Sequence, residues 1–248
     1  MNNWVLGTDT SHWSGAIDFA KMYAAGARFW ITKATDANKT TGYQFEDSQF
    51  DTYCRDAIRN GKLLMGCYHW LQASVDPKIA ADFYLERYQR FKFDFPPILD
   101  FEEPSVRNTG RFSDYAWRAQ VWCQRVEEVT GRKPIVYTAK WYTSYFSPSH
   151  ISWMSAYPLW VADYSWWAQN VTKAPYYMPS PPWSDWKIWQ YTDKGSGSDF
   201  GAQAKGMDLN WFQGDYSELL AWLQVDQEPE TPLTLEDRVK RLEEAVFG

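Results

Sequence analysis

Two carboxylic acids at the end of a short apolar run offer the clearest chemistry in the sequence. The run from Pro96 to Pro104 reads PPILDFEEP. If it forms a strand, alternation places Asp100 and Glu102 on one face and Glu103 on the other. Two neighbouring acids repel each other as anions, and burial raises the pKa of at least one, so one can donate a proton while the other stays ionised. This pattern is typical of general acid–base catalysis, although a strand end with two solvated acids explains the segment equally well.

Composition restricts the classes of partner. The chain has 248 residues and 45% hydrophobic content, enough for one large domain. Aromatic residues make up 19%, and many of the 16 Trp and 16 Tyr lie beside polar residues. This setting predicts a groove with flat aromatic faces, which suit sugar rings or nucleic-acid bases. A net charge of −6 without a Lys/Arg-rich run argues against nucleic acid.

Cysteine and histidine usage predicts no metal site and no cofactor. The three cysteines, Cys54, Cys67 and Cys123, are an odd number without metal-ligand spacing, so we expect buried free thiols. His69 should point away from Tyr68 into the protein as a structural residue, and His12 lies in a loop. No charged start precedes an apolar stretch, and no segment is long enough to span a membrane. We therefore expect no signal peptide and a cytoplasmic chain without a membrane partner.

Strands and helices alternate through the first part of the sequence. Strands are predicted at 4–9, 28–34, 63–70, 98–102 and 134–138, and helices at 16–25, 49–60, 76–88 and 113–131, the last capped by Ser113. Further strands are predicted at 159–164, 187–191 and 206–211, where prolines at 175, 179, 181 and 182 exclude regular helices between them. We predict an α/β fold, a TIM-like barrel of the incomplete (β/α)5β3 type.

Acidic residues lie at the ends of most predicted strands. They are Asp9, Asp36, Asp100, Glu102, Asp163, Asp193 and Asp208. In barrels of this kind, catalytic groups lie at the carboxyl ends of the strands. We expect the acids at the carboxyl ends of strands one, two, four and eight to meet at one rim, and Asp163 to face outward.

Eight short segments, in order, resemble glycoside hydrolase family 25, the Chalaropsis-type lysozymes that include many bacteriophage endolysins. The segments are DTSHW (9–13), KAT (33–35), YHW (68–70), LDFE (99–102), IVYT (135–138), LWVA (159–162), WQY (189–191) and DLN (208–210). The resemblance covers about residues 4–224 and every predicted strand. It implies a (β/α)5β3 barrel, in agreement with the order of elements.

The resemblance also implies an activity, hydrolysis of the β-1,4 bond between N-acetylmuramic acid and N-acetylglucosamine in bacterial peptidoglycan. It makes Glu102 the general acid, with Asp100 assisting and Asp9 and Asp208 shaping an acidic cleft. Glu103, on the opposite face, should matter little. Asp36 stands where the family commonly has a longer Glu. The substrate-binding residues we expect are Tyr68, Tyr137, Trp70, Asp36, Trp141, Tyr164, Trp189 and Gln190. Trp70, Trp141 and Trp189 are candidates for stacking on sugar rings, although packing inside the protein explains each of them equally well.

The stereochemical course stays open at the level of sequence. Strand geometry puts the Cα atoms of Asp100 and Glu102 roughly 6.6 Å apart, which does not decide between retention and inversion. A third route lets the N-acetyl carbonyl of the substrate attack the anomeric carbon, with Asp100 or Asp9 stabilising the resulting ion. The resemblance favours this route.

Other functions and other settings are also compatible with the sequence. One is a carbohydrate-binding barrel without catalysis, and another is a chitinase, although residues 98–103 lack the longer acidic run usual on that strand in chitinases. The missing signal peptide favours a phage endolysin held in the host cytoplasm before lysis, and a bacterial autolysin is the alternative.

The C-terminal part differs from the rest in composition. We predict a catalytic barrel at 1–224, a linker at 225–233 and a short helix at 234–248. Leu235, Val239, Leu242 and Val246 follow a heptad-like spacing in that helix. A short amphipathic helix needs a partner, so we expect self-association through it, with a solvated tail as the alternative.

Overall fold

The computed structural model describes residues 4–164 and 182–225, and its strands close into a barrel. The strands are β1 (Val5–Thr10), β2 (Phe29–Ala37), β3 (Gln44–Glu46), β4 (Leu64–Trp70), β5 (Ile98–Asp100), β6 (Ile135–Ala139), β7 (Leu159–Ala162), β8 (Ile188–Ser196) and β9 (Gly206–Phe212). The barrel order is β1-β9-β8-β7-β6-β5-β4-β2, and the pairing of β1 with β2 closes it. The predicted α/β barrel is confirmed. The prolines at 175, 179 and 181, the predicted tail helix and nearly all of the predicted linker lie outside the described residues.

The helices surround this barrel. They are α1 (Phe19–Ala24), α2 (Phe50–Asn60), α3 (Pro77–Tyr88), α4 (Ser105–Thr109), α5 (Phe112–Thr130), α6 (Pro148–Ile151) and α7 (Tyr216–Leu223). The carboxylate of Asp76 caps α3 by accepting the Lys78 and Ile79 amides at 2.9 and 3.2 Å. Gly61 and Gly131 end α2 and α5 with φ of 65° and 67°, a conformation that favours glycine.

Several local predictions were wrong. The residue before α5 is Arg111, so Ser113 lies inside the first turn and does not cap the helix. The hairpin strand β3 and the short helices α4 and α6 were not predicted, because three to five residues carry too little periodicity. The strand expected at 98–102 ends at Asp100, and Glu102 therefore lies just beyond β5.

The barrel is closed by a reversed strand. β9 runs antiparallel to both of its neighbours, and its register pairs Asp208 with Asp9 of β1 and Asn210 with Gln190 of β8. Asp208 was expected at the carboxyl end of its strand, and that is wrong. It lies near the amino end of β9, which reaches the same rim as the carboxyl ends of the parallel strands because β9 is reversed.

Aromatic packing fills the end of the barrel opposite the acids. The rings of Phe29 and Phe95 lie 5.4 Å apart, and both residues are fully buried. A Cβ at Gly7 would lie 2.2 Å from the Phe29 ring, and one at Gly66 would lie 2.9 Å from Phe95. Glycine is required at both positions because the rings take the space of a side chain. Each buried Phe contributes about 1.5–3 kcal/mol to stability.

Buried thiols and a buried imidazole lie in the protein wall. Cys54, Cys67 and Cys123 are free and buried, as predicted. His69 stacks on Trp122 with ring centroids 5.6 Å apart, and its Nδ1 lies 2.8 Å from Thr35 Oγ1. Burial, and then the charge of Lys33, lower the pKa of His69 to about 3, so the ring is neutral. The structure therefore agrees with the prediction of a structural histidine.

Within residues 4–164 and 182–225, no helix combines the length and the apolar character needed to cross a membrane. Nor does that part of the chain contain a group of three or more His, Cys, Asp or Glu arranged to hold a metal ion.

Candidate active site

Four acids from three strands meet at the rim where the parallel strands end. Asp9 lies near the end of β1, Asp208 pairs with it from β9, Asp100 ends β5, and Glu102 follows two residues later. Burial is the largest cause that raises the pKa of each of them. The negative charge of Asp9 raises the pKa of the other three. The structure thus brings together the four residues that the sequence predicts as catalytic.

Two amides hold the carboxylate of Asp9 in place. Its Oδ2 accepts hydrogen bonds from Gln190 Nε2 at 2.8 Å and from Asn210 Nδ2 at 2.7 Å. Burial raises the pKa of Asp9 to about 6, although both hydrogen bonds favour the anion and oppose that rise. Asp9 is therefore oriented by the protein and ionises in the weakly acidic range.

Gln190 connects Asp9 to the aromatic wall of the site. Its Oε1 accepts the hydroxyl of Tyr137 at 2.8 Å and also that of Tyr164. On β9, Asn210 Oδ1 accepts Trp160 Nε1 at 2.8 Å. Tyr137, Tyr164 and Gln190 were predicted as site residues. Asn210 and Trp160 were missed, although both occur in segments that carry the family resemblance.

Asp100 and Glu102 differ in a way that separates their chemistry. Burial, and next the charge of Glu102, raise the pKa of Asp100 well above its usual value. Burial and the charge of Asp9 raise the pKa of Glu102 to about 7, and Lys33 opposes both shifts. Among the described residues, Asp100 Oδ1 is buried without a hydrogen-bond partner. Glu102 can therefore hold a transferable proton near neutral pH, beside a buried acceptor oxygen.

A buried lysine lies beneath this group. Lys33 forms an ion pair with Asp36, and its Nζ lies 4.7 Å from the centroid of the Trp70 ring. Asp36 also accepts Gln72 Nε2 at 2.9 Å and the Ala37 amide at 2.6 Å. Both oxygens of Asp36 therefore have protein partners, and sugar binding by it stays a prediction. Lys33 was missed, although a lysine inside the apolar strand RFWITKA is itself a signal of a buried charge.

Glu103, which we expect from the sequence to matter little, makes several contacts in the structure, and its effect on activity stays a prediction. Its carboxylate is buried and accepts hydrogen bonds from the Ala73 amide, at 2.5 Å, and from the Ser105 hydroxyl. Its carbonyl accepts the hydroxyl of Tyr142 at 2.8 Å. Because Glu103 follows Glu102 directly, these contacts fix the segment that carries the acid.

The aromatic residues predicted to bind substrate differ in their exposure. Burial, and then the charges of Asp100 and Asp9, raise the pKa of the Tyr68 hydroxyl, so Tyr68 lies within the electrostatic reach of the acids. Trp141 and Tyr164 expose 52% and 36% of their surface. Trp70 is half-buried.

The stacking role predicted for Trp189 is wrong. The residue is 1% exposed, and its ring packs against Trp4 and Trp186. It alternates with Gln190, which faces the site, so its own ring points away from it. Asp163 Oδ2 lies 3.8 Å from Lys140 Nζ, and the outward orientation expected for Asp163 stays a prediction.

A closed α/β barrel with buried acids at one rim, among them Glu102 with a pKa of about 7, suits glycoside hydrolysis, which needs a protonated acid beside a second carboxyl group. The family model described as "Glycosyl hydrolases family 25" matches residues 8–200, well over half of the chain. The chain belongs to this family.

Known proteins of similar sequence or structure agree with this assignment. The chain is 32% identical over 235 residues to the uncharacterized protein YegX of Escherichia coli (strain K12), covering 92% of this chain and 76% of YegX. It is 28% identical over 224 residues to the N,O-diacetylmuramidase of Chalaropsis sp, covering 87% of this chain and 97% of that enzyme. The structure of a muramidase from Acremonium alcalophilum matches with a TM-score of 0.71 at 26% identity, covering 90% of this chain and all of that one.

Proposed function

We propose that the chain is an N-acetylmuramidase that hydrolyses the β-1,4 bond between N-acetylmuramic acid and N-acetylglucosamine in bacterial peptidoglycan. The observation that carries the proposal is the pair Glu102 and Asp100. Glu102 is an acid with a pKa of about 7, and Asp100 offers a buried oxygen, Oδ1, that has no hydrogen-bond partner among the described residues. The diacetylmuramidase and muramidase relatives supply the substrate class.

In the first step Glu102 gives its proton to the glycosidic oxygen as the bond to the anomeric carbon breaks. The N-acetyl carbonyl oxygen of the substrate forms the new bond to that carbon and leaves an oxazolinium ion. Asp100 Oδ1 accepts a hydrogen bond from the N–H of the N-acetyl group, which orients its carbonyl oxygen for attack. In the second step the Glu102 carboxylate takes a proton from water, and the water oxygen opens the ring.

The two acids on β1 and β9 support this chemistry in different ways, Asp9 as an anion and Asp208 as a neutral acid. Asp9, held by Gln190 and Asn210, faces the positive charge that develops at the sugar. Burial raises the pKa of Asp208 to about 8, with the charge of Asp9 as the next cause. Asp208 is therefore protonated at neutral pH and can donate a hydrogen bond.

Replacing the acid tests the activity. Glu102→Gln removes only the transferable proton, and we expect the release of reducing ends from purified peptidoglycan to fall by about 10²–10⁴-fold. Glu86→Gln, at an exposed Glu of α3 paired with Arg87, is the matched control and should keep full activity. Near wild-type turnover by the Glu102 variant would refute the assignment.

Product stereochemistry tests the route. Participation by the N-acetyl group inverts the anomeric carbon twice, so the first product seen by NMR should retain the β configuration. An α product would show direct attack by water and exclude the oxazolinium ion.

Two substrate assays separate the rival functions. A barrel that only binds carbohydrate would leave the turbidity of a bacterial wall suspension unchanged, whereas a muramidase lowers it. A chitinase would cleave chitin oligomers in preference to peptidoglycan, and we expect the reverse.

For the biological setting we propose a phage endolysin that acts on the wall from the host cytoplasm, with a bacterial autolysin as the alternative. We further propose a catalytic barrel at 1–224, a linker at 225–233 and a helix at 234–248 that mediates self-association. Light scattering of the full chain and of a chain ending at 225 tests self-association through the helix. The same number of chains per particle in both proteins would exclude it.

A further inference from the structure

The loop that follows β1 is fixed by many contacts. After Thr10 the chain forms a single 3₁₀ turn, His12–Ser14, whose cap Ser11 accepts the Trp13 amide through its hydroxyl at 3.4 Å. The hydroxyl of Tyr53 donates to the Gly15 carbonyl. The Ala16 amide donates to Gln203 Oε1 at 3.2 Å. The turn therefore presents its side chains in one defined arrangement.

A buried carboxylate orients His12 within this turn. His12 Nδ1 lies 2.7 Å from Asp47 Oδ2, which also accepts the His12 amide at 3.1 Å. The side chain of Asp47 is 1% exposed and that of His12 is 34% exposed. In the neutral ring, Nδ1–H donates to the carboxylate, which leaves the other ring nitrogen, Nε2, as an acceptor. The imidazole is thus a preoriented group at the surface, able to accept a hydroxyl hydrogen.

The next residue, Trp13, offers a large exposed aromatic face. It is 80% exposed, and its ring centroid lies 4.5 Å from that of His12. Packing does not explain a tryptophan that contacts so little of the protein, since its apolar surface remains in water. A flat ring beside a fixed hydrogen-bond acceptor matches a pyranose, which has an apolar face and hydroxyl groups at its edge.

This pair lies next to the catalytic rim. Trp13 follows Asp9 by four residues, so their Cα atoms are at most about 14 Å apart. Asp47, which holds His12, donates its amide to the Ala34 carbonyl at 2.9 Å, near the carboxyl end of β2. The loop after β1 and the segment before α2 therefore lie at the same rim as the acids.

We propose that Trp13 and His12 form a saccharide-binding subsite that holds a sugar ring of the glycan strand away from the scissile bond. Trp13 stacks on the ring, and His12 Nε2 accepts one of its hydroxyl hydrogens. The identity of the polymer rests on the proposed muramidase function. The subsite itself gives the chain a preference for glycans long enough to reach from the acids to the loop.

The test compares two lengths of glycan in the full chain. Trp13→Ala should raise KM for a long stem-free peptidoglycan glycan roughly tenfold, a change worth about 1.4 kcal/mol, within the range for one stacked ring. Cleavage of the shortest fragment that the wild type accepts should be unchanged, as should kcat and the thermal midpoint. His12→Ala should raise KM for the long glycan by a smaller factor. Trp117→Ala, at an exposed Trp of α5, is the control and should leave every value unchanged.

Calorimetry in the Glu102→Gln background measures binding of the same fragments without turnover. A loss of affinity for the long fragment alone on adding Trp13→Ala supports the subsite. Equal affinity and equal KM with and without Trp13 would overturn the subsite and leave the muramidase assignment intact. A wild-type chain that cleaves no peptidoglycan while the Trp13 effect on binding persists would overturn the muramidase assignment alone.

Discussion

Gln190 Nε2 lies 2.8 Å from Asp9 Oδ2 and joins β8 to β1 across 181 residues of sequence. The same side chain accepts hydroxyl groups from Tyr137 and Tyr164 through its other end. One amide therefore sets the position of a catalytic-rim carboxylate and of two tyrosines that line the cleft. An amide suits this position because it donates at one end and accepts at the other.

Gln190→Met should weaken both the fold and the site. The variant leaves the Tyr137 hydroxyl without its buried acceptor and removes a donor to Asp9, and we expect the free energy of unfolding to fall by about 1–3 kcal/mol. Loss of the donor should also raise the pKa of Asp9 above its value of about 6. Urea denaturation and the acidic limb of the activity profile measure the two effects. Unchanged stability would show that the pairing contributes little.

Asp9→Asn should move the alkaline limb of the pH–activity profile. The charge of Asp9 is the largest cause after burial that raises the pKa of Glu102 to about 7. Without that charge Glu102 loses its proton at lower pH, so the limb of kcat should shift to the acid side. Asp193→Asn is the control, because Asp193 acts on Asp208, and the limb should stay in place. A limb that remains near 7 in the Asp9 variant would show that Glu102 is not the titrating acid.

Asp208→Asn should stabilise the protein at pH 8. The pKa of Asp208 is about 8 in the folded chain, against about 3.9 in an unfolded one. The folded state therefore keeps a proton that the unfolded state releases, and its contribution to stability is lost as the pH rises from about 4 to about 8. Asparagine removes this dependence, so the variant should exceed the wild type at pH 8 and equal it near pH 4 in chemical denaturation.

Asp215, whose pKa is shifted in the opposite direction, is the control for Asp208. Hydrogen bonds from the Ser217 hydroxyl and the Glu218 amide lower the pKa of Asp215, which caps α7. The ionised Asp215 stabilises the folded state at a pH above its unfolded pKa, and this stabilisation is lost as the pH falls. Asp215→Ala should therefore cost stability at pH 8 and little at low pH. Parallel responses of the two variants would contradict this interpretation of Asp208.

Glu103→Gln should reduce turnover without touching substrate. Gln can still accept the Ala73 amide through its oxygen, but its NH₂ group can only donate to the Ser105 hydroxyl. Two hydrogen bonds to an ionised carboxylate are thereby replaced by weaker neutral ones, one of them reversed, and the segment behind Glu102 is held less firmly. A displacement of the acid by about 1 Å can lower the rate about 100-fold. We expect kcat to fall and KM to change little.

The control for this variant lies at the other end of the barrel. Asp94 accepts the Met65 amide at 2.7 Å, so Asp94→Asn makes the same chemical change far from the acids. It should lower stability while kcat stays close to that of the wild type. Equal kcat in the two variants would show that Glu103 matters little to turnover.

Patterns within short stretches of sequence were sufficient to predict the barrel and the pair of acids, Asp100 and Glu102. Alternating strands and helices predicted the closed sheet, and the spacing of Asp100 and Glu102 predicted their shared site. Alternation also contained the information that Trp189 faces away, since Gln190 faces the cleft. The stacking prediction for Trp189 overlooked that constraint.

Other parts of the site depend on pairings that periodicity does not encode. Asn210 meets Asp9 across 201 residues, and only the closed barrel brings them together. The reversal of β9 has no local signature, so Asp208 was assigned to the wrong end of its strand. The contacts of Glu103 could not be predicted because its partners, Ala73 and Tyr142, lie in other rim loops.

The reversed final strand also decides where the chain leaves the domain. β9 begins beside the acids and ends at Phe212, which pairs with Val5 at the opposite pole. From there α7 packs at that pole, with Trp222 against Phe95 and Phe212. A domain joined directly to Val225 would thereby be attached about one strand length, roughly 17–20 Å, from the rim that carries the acids. Cargo or a surface anchor attached there leaves the path of an incoming polymer unobstructed.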